Sequence, residues 1–157
     1  MRCRLVGSEM CIRDSLRLVL EMTNLSKDDQ KNKMEQLLDD LSIQHIRKNK
    51  GMNLSGGERR RVEISRTLAI DPDFILLDEP FAGVDPIAVE DIQSIVQSLK
   101  EKNIGVLITD HNVRETLSIT DRSYLLFDGK ILKSGTSDFL TNDKEVRKLY
   151  LGEGFSM

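Results

Sequence analysis

Residues Phe74-Ile75-Leu76-Leu77 form an unbroken apolar run that ends directly in Asp78-Glu79-Pro80. A short apolar run that ends in this way is typical of a strand buried on both faces, as in parallel sheets. Residues 104–109 repeat the pattern and end at Asp110-His111. Between the two runs, Asp85-Pro86 supplies a cap and a first-turn proline for a helix. The order strand, helix, strand predicts an α/β sheet that binds ligands at the carboxyl ends of its strands.

Other local signals predict helices and a hairpin around these strands. Residues 26–41 show helical spacing of apolar residues behind a serine cap, and Ser55 can open a second helix. Asp128-Gly129 separates two short stretches rich in apolar residues, which favours a hairpin turn of type I′. A last helical region is expected over residues 136–150.

Size and charge exclude several classes of protein. The 157 residues allow one domain of ordinary size. Lys and Arg number 23 against 26 Asp and Glu, so the net charge is −3 and nucleic acid is not an expected partner. No apolar run approaches the roughly 20 residues of a membrane span, and we find no secretory signal. We expect a protein that works in the cytosol or on a membrane surface.

The first 15 residues differ from the rest of the chain. They contain both cysteines, Cys3 and Cys11, and show no helical or strand periodicity. Two cysteines and two histidines favour neither a disulfide scaffold nor a zinc site. We expect residues 1–15 to form an extension outside the fold, either a non-native addition from a cloning or assembly junction or a natural flexible segment.

A glycine pair stands directly before the helix that Ser55 can open. Gly56 and Gly57 allow the backbone to approach an anion closely, the helix start offers free N–H groups, and Ser55 adds a hydroxyl. This combination is typical of phosphate binding. The alternative is a serine-capped helix after a flexible turn.

Acidic and imidazole groups follow the two strands. Asp78 suits Mg²⁺, which takes one or two carboxylates together with phosphate oxygens, and Glu79 can orient or deprotonate an attacking water. The alternative for this pair is a local cap at the strand exit. His111 can bond a terminal phosphate, although a lone histidine is more often structural.

The order and spacing of these motifs resemble those of ATP-binding-cassette (ABC) ATPases. Residues 54–58 resemble the signature motif, residues 75–79 the Walker B strand, residues 82–85 the D-loop, and His111 the switch histidine. The resemblance covers residues 16–157 and implies an α/β, P-loop NTPase-like ABC ATPase core. It further implies three regions: part of the helical subdomain at 16–53, the motif-bearing core at 54–135, and a C-terminal helical region and tail at 136–157.

The resemblance also implies roles for single residues, with ATP and Mg²⁺ as cofactors. It assigns the catalytic roles to Glu79 and His111 and the metal to Asp78. The resemblance implies that five residues act on the ATP of a partner subunit, namely Leu54, Ser55, Gly56, Gly57 and Glu58. The D-loop residues are Gly83 and Asp85.

Three stretches, at residues 54–64, 78–86 and 108–116, indicate which group of ABC ATPases the chain resembles most. They are most similar to the ATPase subunits of bacterial lipopolysaccharide exporters. The ending 149–153 is similar to branched-chain amino-acid importers too, so an importer remains an alternative, as does a soluble non-transport ABC ATPase. The resemblance implies a homodimer on two transmembrane subunits, peripheral to the membrane at the cytoplasmic face of the bacterial inner membrane.

The sequence contains no G-x-x-x-x-G-K-[ST] run, the loop that cradles phosphates in such ATPases. Its one Gly-Lys pair, Gly129-Lys130, falls in the predicted hairpin turn. We therefore expect an N-terminally truncated core that begins inside the helical subdomain and is inactive alone. The run Arg59–Arg61 predicts a solvated or ion-paired helix face rather than a nucleic-acid site.

Overall fold

A computed structural model describes residues 9–152. Its helices are α1 (Ile12–Leu20), α2 (Lys27–Asp40), α3 (Gly56–Leu68), α4 (Pro86–Glu101), α5 (Val113–Ile119), α6 (Ser137–Asn142) and α7 (Lys144–Val146), and α7 continues into a π-helical turn, Arg147–Leu151. Its strands are β1 (Phe74–Asp78), β2 (Gly105–Thr109), β3 (Ser123–Phe127) and β4 (Lys130–Gly135). Two 3₁₀ turns, Gln44–Ile46 and Gly51–Asn53, connect α2 to α3.

Helix starts follow the predicted caps. The Ser26 hydroxyl accepts the backbone N–H of Asp29 at 3.2 Å, so α2 begins where the sequence indicates. Asp85 Oδ1 accepts the N–H of Ala88 at 3.0 Å, and Pro86 is the first residue of α4. These side chains satisfy N–H groups that have no acceptor within the helix. The predictions for both helix starts are confirmed.

The strands form two small sheets. In the first sheet, β1 and β2 are parallel and α4 connects them, with Phe74 opposite Gly105 and Asp78 opposite Thr109. In the second sheet, β3 and β4 are antiparallel around Asp128-Gly129. Both turn residues have positive φ, 49° and 72°, as a type I′ turn requires. The predicted α/β class and the hairpin are confirmed.

The burial of the two parallel strands differs from the prediction. Ile75 and Leu77 are buried against helices, whereas Phe74 and Leu76 are each 75% exposed. Leu107 on β2 is 57% exposed. The expectation of strands buried on both faces is wrong, because among residues 9–152 the helical layer covers only one face of this sheet.

The start of α1 also differs from the prediction. We expected residues 1–15 to lie outside the fold, but α1 begins at Ile12, whose side chain is buried. The N–H of Ile12 donates to the Asn49 carbonyl at 3.1 Å, and Cys11 forms a β-bridge with Lys50. Residues 11–15 therefore pack with the fold. Residues 1–8 lie outside the described part of the chain, and the origin of the segment stays a prediction.

The main hydrophobic cluster fixes α3 against β1. It runs from Ile12 to Leu99 and includes buried residues of α1 to α4 and β1. It contains residues from both sides of the expected boundary at 53/54, and the division into regions stays a prediction. A second cluster comprises Leu117, Leu125, Leu140 and Val146. Within residues 9–152, none of the helices has the length and apolar character needed to cross a bilayer.

Candidate functional site

The start of α3 is a reciprocal capping box. Ser55 Oγ accepts the backbone N–H of Glu58 at 3.3 Å, and Glu58 Oε2 accepts the backbone N–H of Ser55 at 2.8 Å. The Ser55 N–H bonded to the carboxylate holds the pKa of Glu58 below its ordinary value, against a smaller opposing effect of burial. His45 Nε2 lies 3.5 Å from Glu58 Oε1 and supports the same carboxylate. The first turn of α3 is therefore held in one conformation.

This fixed turn presents hydrogen-bond donors to solvent. Ser55 and Gly56 are exposed. The N–H groups of Gly56 and Gly57 belong to the first helical turn and have no acceptor within the helix. The Ser55 hydroxyl lies on the same turn and accepts the Glu58 N–H through its oxygen. The loop can therefore hold an anion at the positive end of the α3 dipole.

Both glycines are also required by packing inside the chain. A Cβ on Gly56 would lie 2.7 Å from the carbonyl oxygen of Gly83, and a Cβ on Gly57 would lie 2.5 Å from Ala88 Cβ on α4. The Ser55 loop therefore rests directly on the 82–85 loop and on the start of α4. The sequence indicates only an approach of these glycines to an anion; their packing depends on contacts about 30 residues away along the chain.

We expect Gly57→Ala to destabilise the full-length protein that contains this chain by about 1–3 kcal/mol, since the added methyl group overpacks a helix–helix contact. Urea unfolding monitored by circular dichroism measures the change. The double variant Gly57→Ala/Ala88→Gly removes the opposing methyl group and is the matched control. A destabilisation equal to or larger than the sum of the two single changes would show that this contact does not limit packing.

The carboxyl ends of β1 and β2 bring Asp78, Glu79 and His111 together. Asp78 Oδ1 accepts the Thr109 hydroxyl at 2.5 Å, and the backbone N–H of Glu79 donates to the Thr109 carbonyl at 2.6 Å. Glu79 Oε1 lies 3.6 Å from His111 Nδ1, and both side chains are mostly exposed. The paired strand ends thus place an acid and an imidazole side by side at one edge of the sheet.

Glu79 adopts a backbone conformation that is rare for its residue type. Its φ is 46°, in the left-handed region. A non-glycine residue there costs on the order of 1–3 kcal/mol and persists only where surrounding contacts hold it. Such residues cluster at functional sites, so the strained backbone independently indicates a functional role for Glu79.

The buried carboxylate of Asp110 organises the two loops behind this edge. Its side chain is 0% exposed. Oδ2 accepts the Phe81 N–H at 3.0 Å and Oδ1 accepts the Asn112 N–H at 2.8 Å. It therefore ties the loop after β1 to the loop after β2. The sequence marks Asp110 only as the neighbour of His111, and the contact with residue 81 is not visible there.

Two arginines of the run on α3 are ion-paired, as expected. Arg60 Nη1 lies 3.0 Å from Glu63, and Arg61 Nη1 lies 3.1 Å from Asp91 on α4. Arg60 Nη2 also donates to the backbone carbonyl of Glu79 at 3.0 Å. This last contact links helix α3 to the strand end that carries Glu79, and no local sequence pattern predicts it.

The donor set at the β1 end fits a magnesium ion. Asp78 is exposed, and its Oδ2 has no hydrogen-bond partner among the described residues. Mg²⁺ in nucleotide sites is held by one or two carboxylates, with phosphate oxygens and water as its other ligands. A single free carboxylate oxygen beside Glu79 meets that requirement.

The family of the chain follows from its sequence. The sequence profile of the ABC transporter family matches residues 4–82, half of the chain. The chain belongs to this ABC transporter family. Its mixed α/β fold agrees, since a nucleotide-free ATP-binding cassette from an ABC transporter superposes with a TM-score of 0.75 at 30% identity. That superposition covers 93% of this chain and 64% of the cassette.

Two curated relatives of this ABC chain are both named lipopolysaccharide export system ATP-binding protein LptB. The protein from Acidithiobacillus ferridurans is 52% identical over 97% of this chain and 63% of its own length. The protein from Haemophilus influenzae is 50% identical over 94% of this chain and 62% of its own length. The expected similarity to lipopolysaccharide export ATPases is confirmed, and the chain spans less than two thirds of these relatives.

Proposed function

We propose that this chain is part of the ATPase subunit of an ABC transporter that exports lipopolysaccharide. The observation that carries the proposal is its identity of 50–52% to two LptB proteins over nearly all of its length. The motif stretches 78–86 and 108–116 add support, because they form the edge where Asp78, Glu79 and His111 meet.

Within this proposal each motif has one role. Asp78 would hold Mg²⁺, which would supply charge neutralisation on the phosphates, and Glu79 orients the attacking water as general base. His111 lies beside Glu79 and bonds the terminal phosphate. Phosphoryl transfer of this kind needs mainly positioning and charge stabilisation, so these side chains contribute by their placement at the edge of the sheet.

The Ser55 loop acts on a second nucleotide. In a homodimer of two such subunits packed head to tail, Ser55, Gly56 and Gly57 face the ATP of the partner subunit. The start of α3 supports this role, because Gly56 is exposed and its N–H has no acceptor within the helix. Leu54 and Glu58 stabilise the Ser55 loop through contacts inside the same subunit. Gly83 and Asp85 support it through the 82–85 loop and the start of α4.

The proposed partners follow from the transport function. The homodimer docks on two transmembrane subunits at the cytoplasmic face of the bacterial inner membrane and stays peripheral to the bilayer. Nucleic acid is not a partner, in line with the net charge of −3. A branched-chain amino-acid importer is the competing transporter class.

A complementation experiment tests the transport function. A full-length protein that contains this chain is expressed in a Gram-negative strain whose own LptB can be depleted. We expect it to restore growth and the appearance of lipopolysaccharide at the cell surface, and its Glu79→Gln variant to restore neither. Stimulated uptake of labelled leucine without rescue of growth would overturn the proposal in favour of the importer.

The 157-residue chain alone is not expected to hydrolyse ATP, because its sequence contains no phosphate-cradling G-x-x-x-x-G-K-[ST] loop. A steady-state phosphate-release assay with Mg²⁺ measures this directly. Turnover at ordinary ATPase rates, unchanged in Glu79→Gln, would contradict both this expectation and the role given to Glu79.

A further inference from the structure

We propose that Arg60 is a positioning residue for Glu79. It holds the backbone of the general base from helix α3 of the same subunit. The inference rests on the proposed ATPase function, and it concerns a residue outside the motifs that the family resemblance assigns. Arg60 does not touch nucleotide in this proposal and acts only through the conformation of Glu79.

Arg60 is anchored at two points. Its Nη2 donates to the Glu79 carbonyl at 3.0 Å, and its Nη1 lies 3.0 Å from Glu63 Oε2, one turn further along α3. The side chain is 23% exposed. The planar guanidinium fork fixes the direction of both bonds, so the Glu79 carbonyl is tied to the rigid body of α3.

The Glu79 peptide needs such an anchor. Its φ of 46° is unfavourable for a glutamate and must be maintained by its contacts. The backbone N–H of Glu79 is held by Thr109, and its carbonyl also accepts the Ala82 N–H at 3.2 Å. Among the described residues, Arg60 is the only side chain that donates to this carbonyl.

The Glu79 carboxylate has little else to fix it. It is mostly exposed, and its ion-pair partner among residues 9–152, His111 Nδ1, lies 3.6 Å away, beyond ordinary hydrogen-bond distance. The direction of the carboxylate is therefore set mainly by its backbone. Loss of the Arg60 contact allows the Glu79 peptide to leave the left-handed region, and the carboxylate then moves away from the water that it orients.

The neighbouring arginines do not share this role. Arg61 pairs with Asp91 on α4. Arg66 lies later on the same helix, is half-buried, and has no ion pair among residues 9–152. Arg66→Met is thus a matched control for Arg60→Met, since both changes remove one positive charge from α3 and keep an unbranched apolar stem.

The first test compares ATP turnover in the full-length protein. We expect Arg60→Met to lower kcat by about 10- to 100-fold, the usual cost of displacing a catalytic group by about an ångström. The KM for ATP and the binding of ATP should change less than threefold, because Glu79 does not hold the nucleotide. Arg66→Met should keep the wild-type kcat. A rise in KM without loss of kcat would overturn the proposal.

A mixed dimer separates positioning of Glu79 from a general effect on α3. One subunit carries Glu79→Gln, so that only the Glu79 of the other subunit can work. Arg60→Met should lower kcat when it is placed in the subunit with the intact Glu79, and should have little effect in the Glu79→Gln subunit. The Ser55 loop of that second subunit serves the working site, so a loss there would instead assign Arg60 to the Ser55 loop and overturn the proposal.

Measurements of ATP turnover and of lipopolysaccharide export together distinguish a failure of the proposed transport function from a failure of the role proposed for Arg60. An ATPase that is active but fails to restore lipopolysaccharide export refutes the proposed transport function and leaves the Arg60 measurement intact. An active exporter in which Arg60→Met retains full kcat refutes the positioning role alone.

Discussion

Glu79→Gln in the full-length protein is expected to lower ATP turnover by on the order of 10²- to 10⁴-fold while ATP binding is kept. Glutamine preserves the shape of the side chain and removes its ability to accept a proton. The contacts that fix the residue involve its backbone N–H and carbonyl, so they remain in the variant. The loss therefore falls on the chemical step and not on the fold.

Three measurements check this expectation. Phosphate release gives the turnover rate, fluorescent-nucleotide titration gives the affinity for ATP, and size-exclusion chromatography shows whether ATP traps a dimer. The matched control is Glu101→Gln, which changes an exposed carboxylate in the last turn of α4. The general-base role is wrong if Glu79→Gln abolishes ATP binding or hydrolyses ATP at the wild-type rate.

Local sequence signals predicted the local structure well. Ser26, Ser55 and Asp85 cap α2, α3 and α4 because a cap depends on residues only three positions apart. The Asp128-Gly129 turn forms for the same reason, since the two residues themselves supply the positive φ angles. The placement of Asp78 and Glu79 at a strand end also followed from one short apolar run.

Features that depend on distant residues were not predictable. The apolar run 74–77 indicates a strand, but it contains no information on which faces other elements cover. The contact of Gly57 with Ala88 and that of Arg60 with the Glu79 carbonyl join residues 31 and 19 positions apart. Only the packing of α3 against β1 and α4 brings these groups together.

The isolated 157-residue chain is expected to have low stability. Phe74, Leu76 and Leu107 form an exposed apolar face on the β1–β2 sheet, and Leu126 and Ile131 are exposed on the hairpin. In the described structure β2 pairs only with β1, and β3 only with β4, so each keeps an unpaired edge. Apolar surface left exposed to water forgoes roughly 25 cal/mol of stabilising free energy per Å², so a few hundred Å² corresponds to several kcal/mol. This is comparable to the whole stability of a domain.

Thermal melting of the purified chain, monitored together with light scattering, measures its stability and its aggregation. We expect partial unfolding or aggregation and no single sharp transition above about 50 °C, in the range where ordinary domains melt. Leu76→Thr/Leu107→Thr should reduce aggregation without lowering the transition, because these paired side chains already face water. Ile75→Thr, one residue away on the buried face, should destabilise the chain by contrast. A soluble monomer with one sharp transition well above 50 °C would show that the chain is stable alone. If Leu76→Thr also destabilised it as much as Ile75→Thr, the apolar face would have to be covered.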